Sequence, residues 1–154
     1  MCVTPNNLTP RSTVDLQAFY DERVAAQDAQ VPGYASSWRA LATLILTNGG
    51  RAVVPPPTIE EDLRALLSGT CTTRKVRLVK GPPNSCHETT ALAWFAGKLD
   101  AVVTGYALSE DGLWRQHSWG LSNNVVIEPT EKRTAYFGIE LHGEAANEFA
   151  TNQL

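Results

Sequence analysis

Three residues of this chain have the types and the order for acyl-transfer chemistry: Cys86, His117 and Glu128. A thiolate is a nucleophile, an imidazole can hold and return its proton, and a carboxylate can fix that imidazole's tautomer and stabilise its charged form. Cys86 follows a Gly-Pro-Pro-Asn-Ser turn and opens CHETTALAWFAGK, which reads as a helix. The unpaired amides and dipole of a helix N-terminus favour an anion, so they lower a thiol pKa and can hold an oxyanion. A lone cysteine is otherwise a small core hydrophobe, so the assignment leans on its partners.

His117 lies in LWRQHSWGL and Glu128 in NVVIEPT, two strand-like runs joined at Ser122-Asn123-Asn124. With Ser122 and Asn123 central in the turn, Leu121 pairs with Asn124 and His117 faces Glu128, with Cβ atoms roughly 4.5–5.5 Å apart. A turn centred one residue later puts His117 opposite Thr130 instead. Glu128 ends an otherwise apolar Val-Val-Ile run, where burying a carboxylate is costly without a partner. The alternative is an exposed strand-end glutamate beside Pro129. Asn123 or Asn124 is the rival amide partner for the imidazole.

Other side chains surround this line. Asn84, or the backbone N–H of Cys86, is the expected oxyanion donor. By strand alternation Trp119 and Arg115 share the His117 face, whereas Trp114 and Gln116 lie opposite. Trp119 is therefore expected in the pocket wall and Trp114 in the core. Arg115 either recognises a substrate carboxylate or stands as a solvated strand charge. The aromatics Tyr106, Tyr136 and Phe137 read as sheet packing. His87, with His117 and His142, invites a metal reading, since Cys, His and Glu all ligate zinc. No short ligand spacing is present, and neighbouring side chains such as Cys86 and His87 diverge on a helix. No metal and no cofactor are expected; His87 is expected at the rim or hydrogen-bonded near the cap. Cys71 reads as a loop thiol without a base.

The elements that must position these groups fall into two parts of one domain: residues 1–70, mostly helical, and residues 75–141, one helix plus strands. Residues 13–29, after a Ser12/Thr13 cap, place Leu16, Phe19, Tyr20, Val24 and Ala25 at helical spacing. A second helix is expected from Ser36 or Ser37 to Gly49-Gly50, apolar nearly all round and deep in the core. Thr58-Ile59-Glu60-Glu61 reads as a capping box opening a third. KVRLVKG, 75–81, alternates as a strand, and the helix after it should bury Ala91, Leu92, Phe95 and Ala96. AVVTGYALS, LWRQHSWGL, NVVIEPT and TAYFGIEL follow as strands of an antiparallel meander, with a turn at Glu110-Asp111-Gly112. GEAANEFATNQL is either a short helix or frayed. The fold class is α+β.

At 154 residues the chain suits a single domain, and its 43% apolar content is enough for a core. A net charge of −3 supplies no broad basic field, which argues against nucleic acid or an anionic membrane as partner. No apolar run approaches a membrane span, and the first residues lack a signal-peptide pattern. Three cysteines, with no CxxC pair, then point to free thiols in the cytoplasm. A Cys2–Cys71 bridge stays open if the protein is exported.

The order of Cys at a helix start, strand His in HSWG and Glu in VIEPT resembles the core of transglutaminase-like and papain-like cysteine enzymes. The resemblance covers roughly residues 75–141. It implies a papain-like arrangement with Cys86, His117 and Glu128 as triad. It also implies a peptidase, amidase, deamidase or transamidase working on a peptide, protein or small amide or acyl substrate. Two departures accompany it. The third member is Glu where transglutaminase-like members usually carry Asp. Lys80 and Gly81 stand where papain-like peptidases place an oxyanion-hole Gln. The competing expectation is an inactive relative that serves as a binding protein.

Overall fold

The structure, a computed structural model, describes residues 13–154. The expected Ser12 cap and the Cys2–Cys71 pairing therefore lie outside the described residues. Among the described residues, five helices and a seven-stranded, mostly antiparallel sheet make an α+β fold. The helices are α1 (Thr13–Gln30), α2 (Tyr34–Leu46), α3 (Leu63–Leu66), α4 (Cys86–Phe95) and α5 (Gly143–Asn152). The strands are β1 (Ala52–Val53), β2 (Thr70–Cys71), β3 (Val76–Leu78), β4 (Ala101–Leu108), β5 (Leu113–Ser122), β6 (Val125–Glu128) and β7 (Ala135–Leu141).

The strand order is β2-β7-β4-β5-β6-β3, with β1 added alongside β5. This corrects the expected meander, because β7 pairs with β4 and not with β6. The outer edge of the short β6 is taken by β3 in a parallel pairing, so the chain after Glu128 must cross to the far side of the sheet. β1 also pairs in parallel, with Leu113 and Trp114 only.

Alternation sorts the side chains onto two faces. One face carries Tyr106, Trp114 and Phe137, which pack against Trp38, Leu41 and Ile45 of α2 and against Leu63 and Leu66 of α3. Further along the same face, Val102 and Ile127 pack with Ala146 of α5 and Trp94 of α4. The other face is clustered from strand residues alone, among them Val103, Trp119, Leu121, Val126 and Tyr136. That second face holds His117 and Glu128.

Several helical expectations change. α2 is one-sided, burying Tyr34, Trp38, Leu41 and Ile45, while Leu44 and Leu46 are only partly buried. On α4 the buried residues are Thr90 and Ala91, while Leu92 and Phe95 are about half exposed (53% and 51%). The capping box does not form. Glu60 is buried and accepts from Tyr106 Oη (2.6 Å) and Gln116 Nε2 (2.8 Å), and α3 starts later, at Leu63. α5 is a full helix.

Small residues let β4 and β7 approach closely. Gly105 pairs His117 on one side and Gly138 on the other, and a Cβ on Gly105 would press on the Phe137 carbonyl and the Gly138 Cα. Gly105→Ala should therefore cost about 1–3 kcal/mol of unfolding free energy, as overpacking does. Urea denaturation checks this; an unchanged midpoint would mean the two strands separate freely.

Candidate active site

The β5–β6 hairpin turns on Asn123 and Asn124, both left-handed (φ 50° and 63°), as a two-residue type I′ turn requires. Gly120, Leu121 and Ser122 pair with Ile127, Val126 and Val125, so the turn is centred one residue later than expected from sequence. Extended, that register sets His117 opposite Thr130, and Glu128 falls on the diagonal. Moving a turn centre by one residue moves each partner by two, so face parity survives. Diagonal neighbours lie about 7–8 Å apart, within reach of long side chains.

The contact is made. His117 Nε2 lies 2.8 Å and 2.9 Å from the two Glu128 carboxylate oxygens. An ionised carboxylate has no proton to give, so Nε2 carries the hydrogen, and Nδ1 is left for another partner. Glu128 has no exposed surface and His117 only 3%. The carboxylate also accepts from Tyr136 Oη (2.7 Å), Thr130 N (3.0 Å) and Thr130 Oγ1 (3.0 Å). Burial alone would raise the Glu128 pKa, but these bonds, that from His117 foremost, hold it below its usual value. Asn124 takes no part; its Oδ1 accepts from Arg74 Nε (2.7 Å).

Cys86 reaches this pair through an opening in the sheet. β5 is paired on its outer edge at 113–114 by β1 and at 120–122 by β6, which leaves 115–119 paired only to β4. The N-terminus of α4, packed on β5, meets that open stretch. Consecutive helix residues then contact consecutive strand residues that point to opposite faces. Cys86 interacts with His117, and His87 Nδ1 lies 2.6 Å from Ser118 Oγ. His87 also interacts with the thiol. Sequence reasoning places His87 at the rim or hydrogen-bonded near the cap, and has the Cys86 and His87 side chains diverging. They do, but here each reaches a different face of one strand edge.

The electrostatics follow from this packing. Burial pushes the Cys86 thiol up, but hydrogen bonding and charge interactions with His117 and His87 outweigh it, and the pKa falls to about 5. Burial pushes His117 down, but Cys86 and Glu128 outweigh it, and its pKa is raised. Both shifts act in one direction, favouring a thiolate on Cys86 and a proton on His117. Ser85 stands before α4 without donating a side-chain cap; its hydroxyl bonds the Pro83 carbonyl instead (3.3 Å). The first-turn amides of α4 thus have no side-chain acceptor at the cap.

A cavity of about 830 Å³ has Cys86, His87, Asn84, Arg115 and His117 in its wall. Asn84 is exposed in the turn, with a left-handed backbone (φ 58°). Arg115 is held by Asp111 through 3.2 Å and 2.6 Å contacts. Trp119 is not in that wall: it is 2% exposed, stacked behind His117 at 5.9 Å and edge-on to Tyr136 at 5.0 Å. Trp114 is fully buried in the core, its indole N–H donating to the Gly49 carbonyl (2.9 Å). Tyr136 and Thr130, which hold Glu128, carry no signal in the sequence. Tyr136 comes from β7, two strands beyond β5, and no local pattern reports that pairing. Among the described residues no group of three or more His, Cys, Asp or Glu side chains is placed to hold a metal ion. Nor is any helix among them long and apolar enough to cross a membrane.

Compared with known proteins, the chain matches no family model, no curated protein and no solved structure.

Proposed function

We propose that this protein is a cysteine-nucleophile acyl-transfer enzyme acting on an amide or related acyl bond, with a papain-like or transglutaminase-like division of labour. The observation that carries this reading is a buried carboxylate bonded to His117 through both oxygens, with the thiol of a helix N-terminus hydrogen-bonded to the same imidazole. A structural cysteine needs neither partner. In the proposed cycle the Cys86 thiolate attacks the carbonyl carbon, and the oxyanion is held by the amides at the start of α4, with Asn84 within the same cavity. His117 gives its proton to the leaving amine as the tetrahedral adduct collapses to a thioester. Neutral His117 then takes a proton from the acceptor, water or an amine, as that acceptor attacks the thioester. Glu128 keeps the ring oriented and stabilises its charge throughout. His87, anchored by Ser118, is a second imidazole that stabilises the thiolate.

Alkylation by iodoacetamide, followed site by site by mass spectrometry, tests the reading. Near pH 6 almost all of Cys86 is thiolate, against well under 1% of a thiol of ordinary pKa near 8.5. The lower basicity offsets part of that gain, since nucleophilicity falls by 0.4–0.5 log units per pKa unit. Cys86 should therefore react roughly tenfold faster than a cysteine peptide at pH 6 and more slowly than it above pH 9. Its rate should level off above pH 6 while the peptide's keeps climbing. A Cys86 profile that rises to pH 8 and beyond like the peptide's would leave an inactive, binding protein as the better description.

A further inference from the structure

We propose that the cavity beside Cys86 is an anion-recognising subsite, so that the acyl substrate carries a carboxylate or comparable negative group on the side lined by Lys80 and Lys132. This rests on the reading of Cys86 as nucleophile and adds a substrate class to it. The chain as a whole is acidic, with a net charge of −3, yet four of its 13 lysines and arginines line this one cavity. Lys80, Arg115, Lys132 and Arg133 stand in the wall, against Glu131 alone among the acidic residues.

Their commitments differ. Arg115 is neutralised by Asp111. Arg133 donates to Ser109 Oγ (3.0 Å) and Thr130 Oγ1 (3.3 Å) and pairs with Glu131 at 3.6 Å. It thereby braces the threonine that holds Glu128. Lys80 and Lys132 are exposed and make no hydrogen bond or ion pair with any described residue. A solvated lysine is ordinary by itself. Here two of them come from separate segments, one just after β3 and one in the crossing from β6 to β7, and both line the cavity that holds the thiol.

Charge on the opposite side sharpens the preference. An adjoining cavity of about 550 Å³ shares His87 and Gln116 with the first, and its wall carries Glu60, Glu61, Asp62 and Glu148. An anionic group is repelled there and drawn to the lysine side, so the two walls together orient a substrate across His87. Clefts of one charge sign raise the local concentration and association rate of an oppositely charged ligand.

Two reagents of nearly equal size isolate this effect without knowledge of the natural substrate. Iodoacetate and iodoacetamide both lose iodide as Cys86 Sγ forms a bond to the methylene carbon. They differ in carrying a carboxylate or a neutral amide. At pH 6 and low salt, the iodoacetate-to-iodoacetamide rate ratio at Cys86 should exceed that of a cysteine peptide by about tenfold, the low end of electrostatic steering. The excess should shrink as salt is raised, and most of it should vanish in Lys80→Ala/Lys132→Ala. Lys132→Glu should also reduce the ratio. Three results would overturn the proposal in distinguishable ways. A peptide-like ratio with fast iodoacetamide labelling removes the subsite and leaves the nucleophile. An elevated ratio untouched by the lysine variants assigns the attraction to the His117 imidazolium and the start of α4. Ordinary reactivity of Cys86 toward both reagents removes the nucleophile and the subsite together.

Discussion

Cys86→Ala should abolish acyl-enzyme formation: with p-nitrophenyl acetate the native protein should give a burst of nitrophenolate and an acetyl adduct on the Cys86 peptide, and the variant should give neither. In the proposed cycle the Cys86 thiolate forms the covalent bond, so nothing else at the site substitutes for it. Loss of a nucleophile from a working triad lowers turnover by about a millionfold. The fold should survive, because Cys86 is only partly buried at the start of α4 and alanine is a strong helix former. A burst that persists in Cys86→Ala, with acetyl on Cys71, would remove Cys86 from its role.

Glu128→Gln should lower turnover about 10³- to 10⁴-fold, the scale seen when a triad carboxylate becomes an amide. An amide oxygen can still accept from His117, but it no longer offsets imidazolium charge. The substitution also costs stability. Oε1 accepts from Thr130 N and Thr130 Oγ1, and Oε2 accepts from Tyr136 Oη, so either orientation of the amide sets its NH₂ against a donor. Leaving one buried donor unsatisfied costs about 1–3 kcal/mol.

The pH dependence of unfolding separates these effects. Glu128 is held below its ordinary 4.5, so its contribution is complete above 4.5 and fades as pH falls through the folded value. His117 is raised above 6.5, so its contribution is complete below 6.5 and fades as pH rises through the folded value. The pair stabilises most between those two ordinary values. In Glu128→Gln the acid-side loss from this carboxyl should disappear from denaturation curves taken as pH falls below 4.5. An unchanged acid limb, with turnover intact, would place Glu128 outside the chemistry.

The Cys86–His117–Glu128 line is legible in the sequence, and for a definite reason. Each element that carries one of its members is locally encoded: α4 by the Gly-Pro-Pro-Asn-Ser turn, β5 and β6 by alternation on either side of an Asn-Asn turn. The register expected from that turn is off by one position, yet the histidine and glutamate still meet. A hairpin slip of that kind moves partners by two and leaves faces unchanged. The same local reasoning fails for α2 and α4, whose apolar content does not reveal which stripe faces the sheet. It fails for Glu60 too, which prefers the buried Tyr106 hydroxyl to a helix cap.

From sequence alone come the elements, the face on which His117 and Glu128 lie, and the thiol at a helix start, because periods of 2 and 3.6 and turn chemistry act over a few neighbouring residues. Only the tertiary structure decides that β7 lies beside β4, bringing Tyr136 to the carboxylate, and that β5 leaves an edge open for Cys86 and His87. β3 occupies the outer edge of β6, and β7 takes the free edge of β4. Both pairings join segments far apart in the chain, and no short window of residues records them.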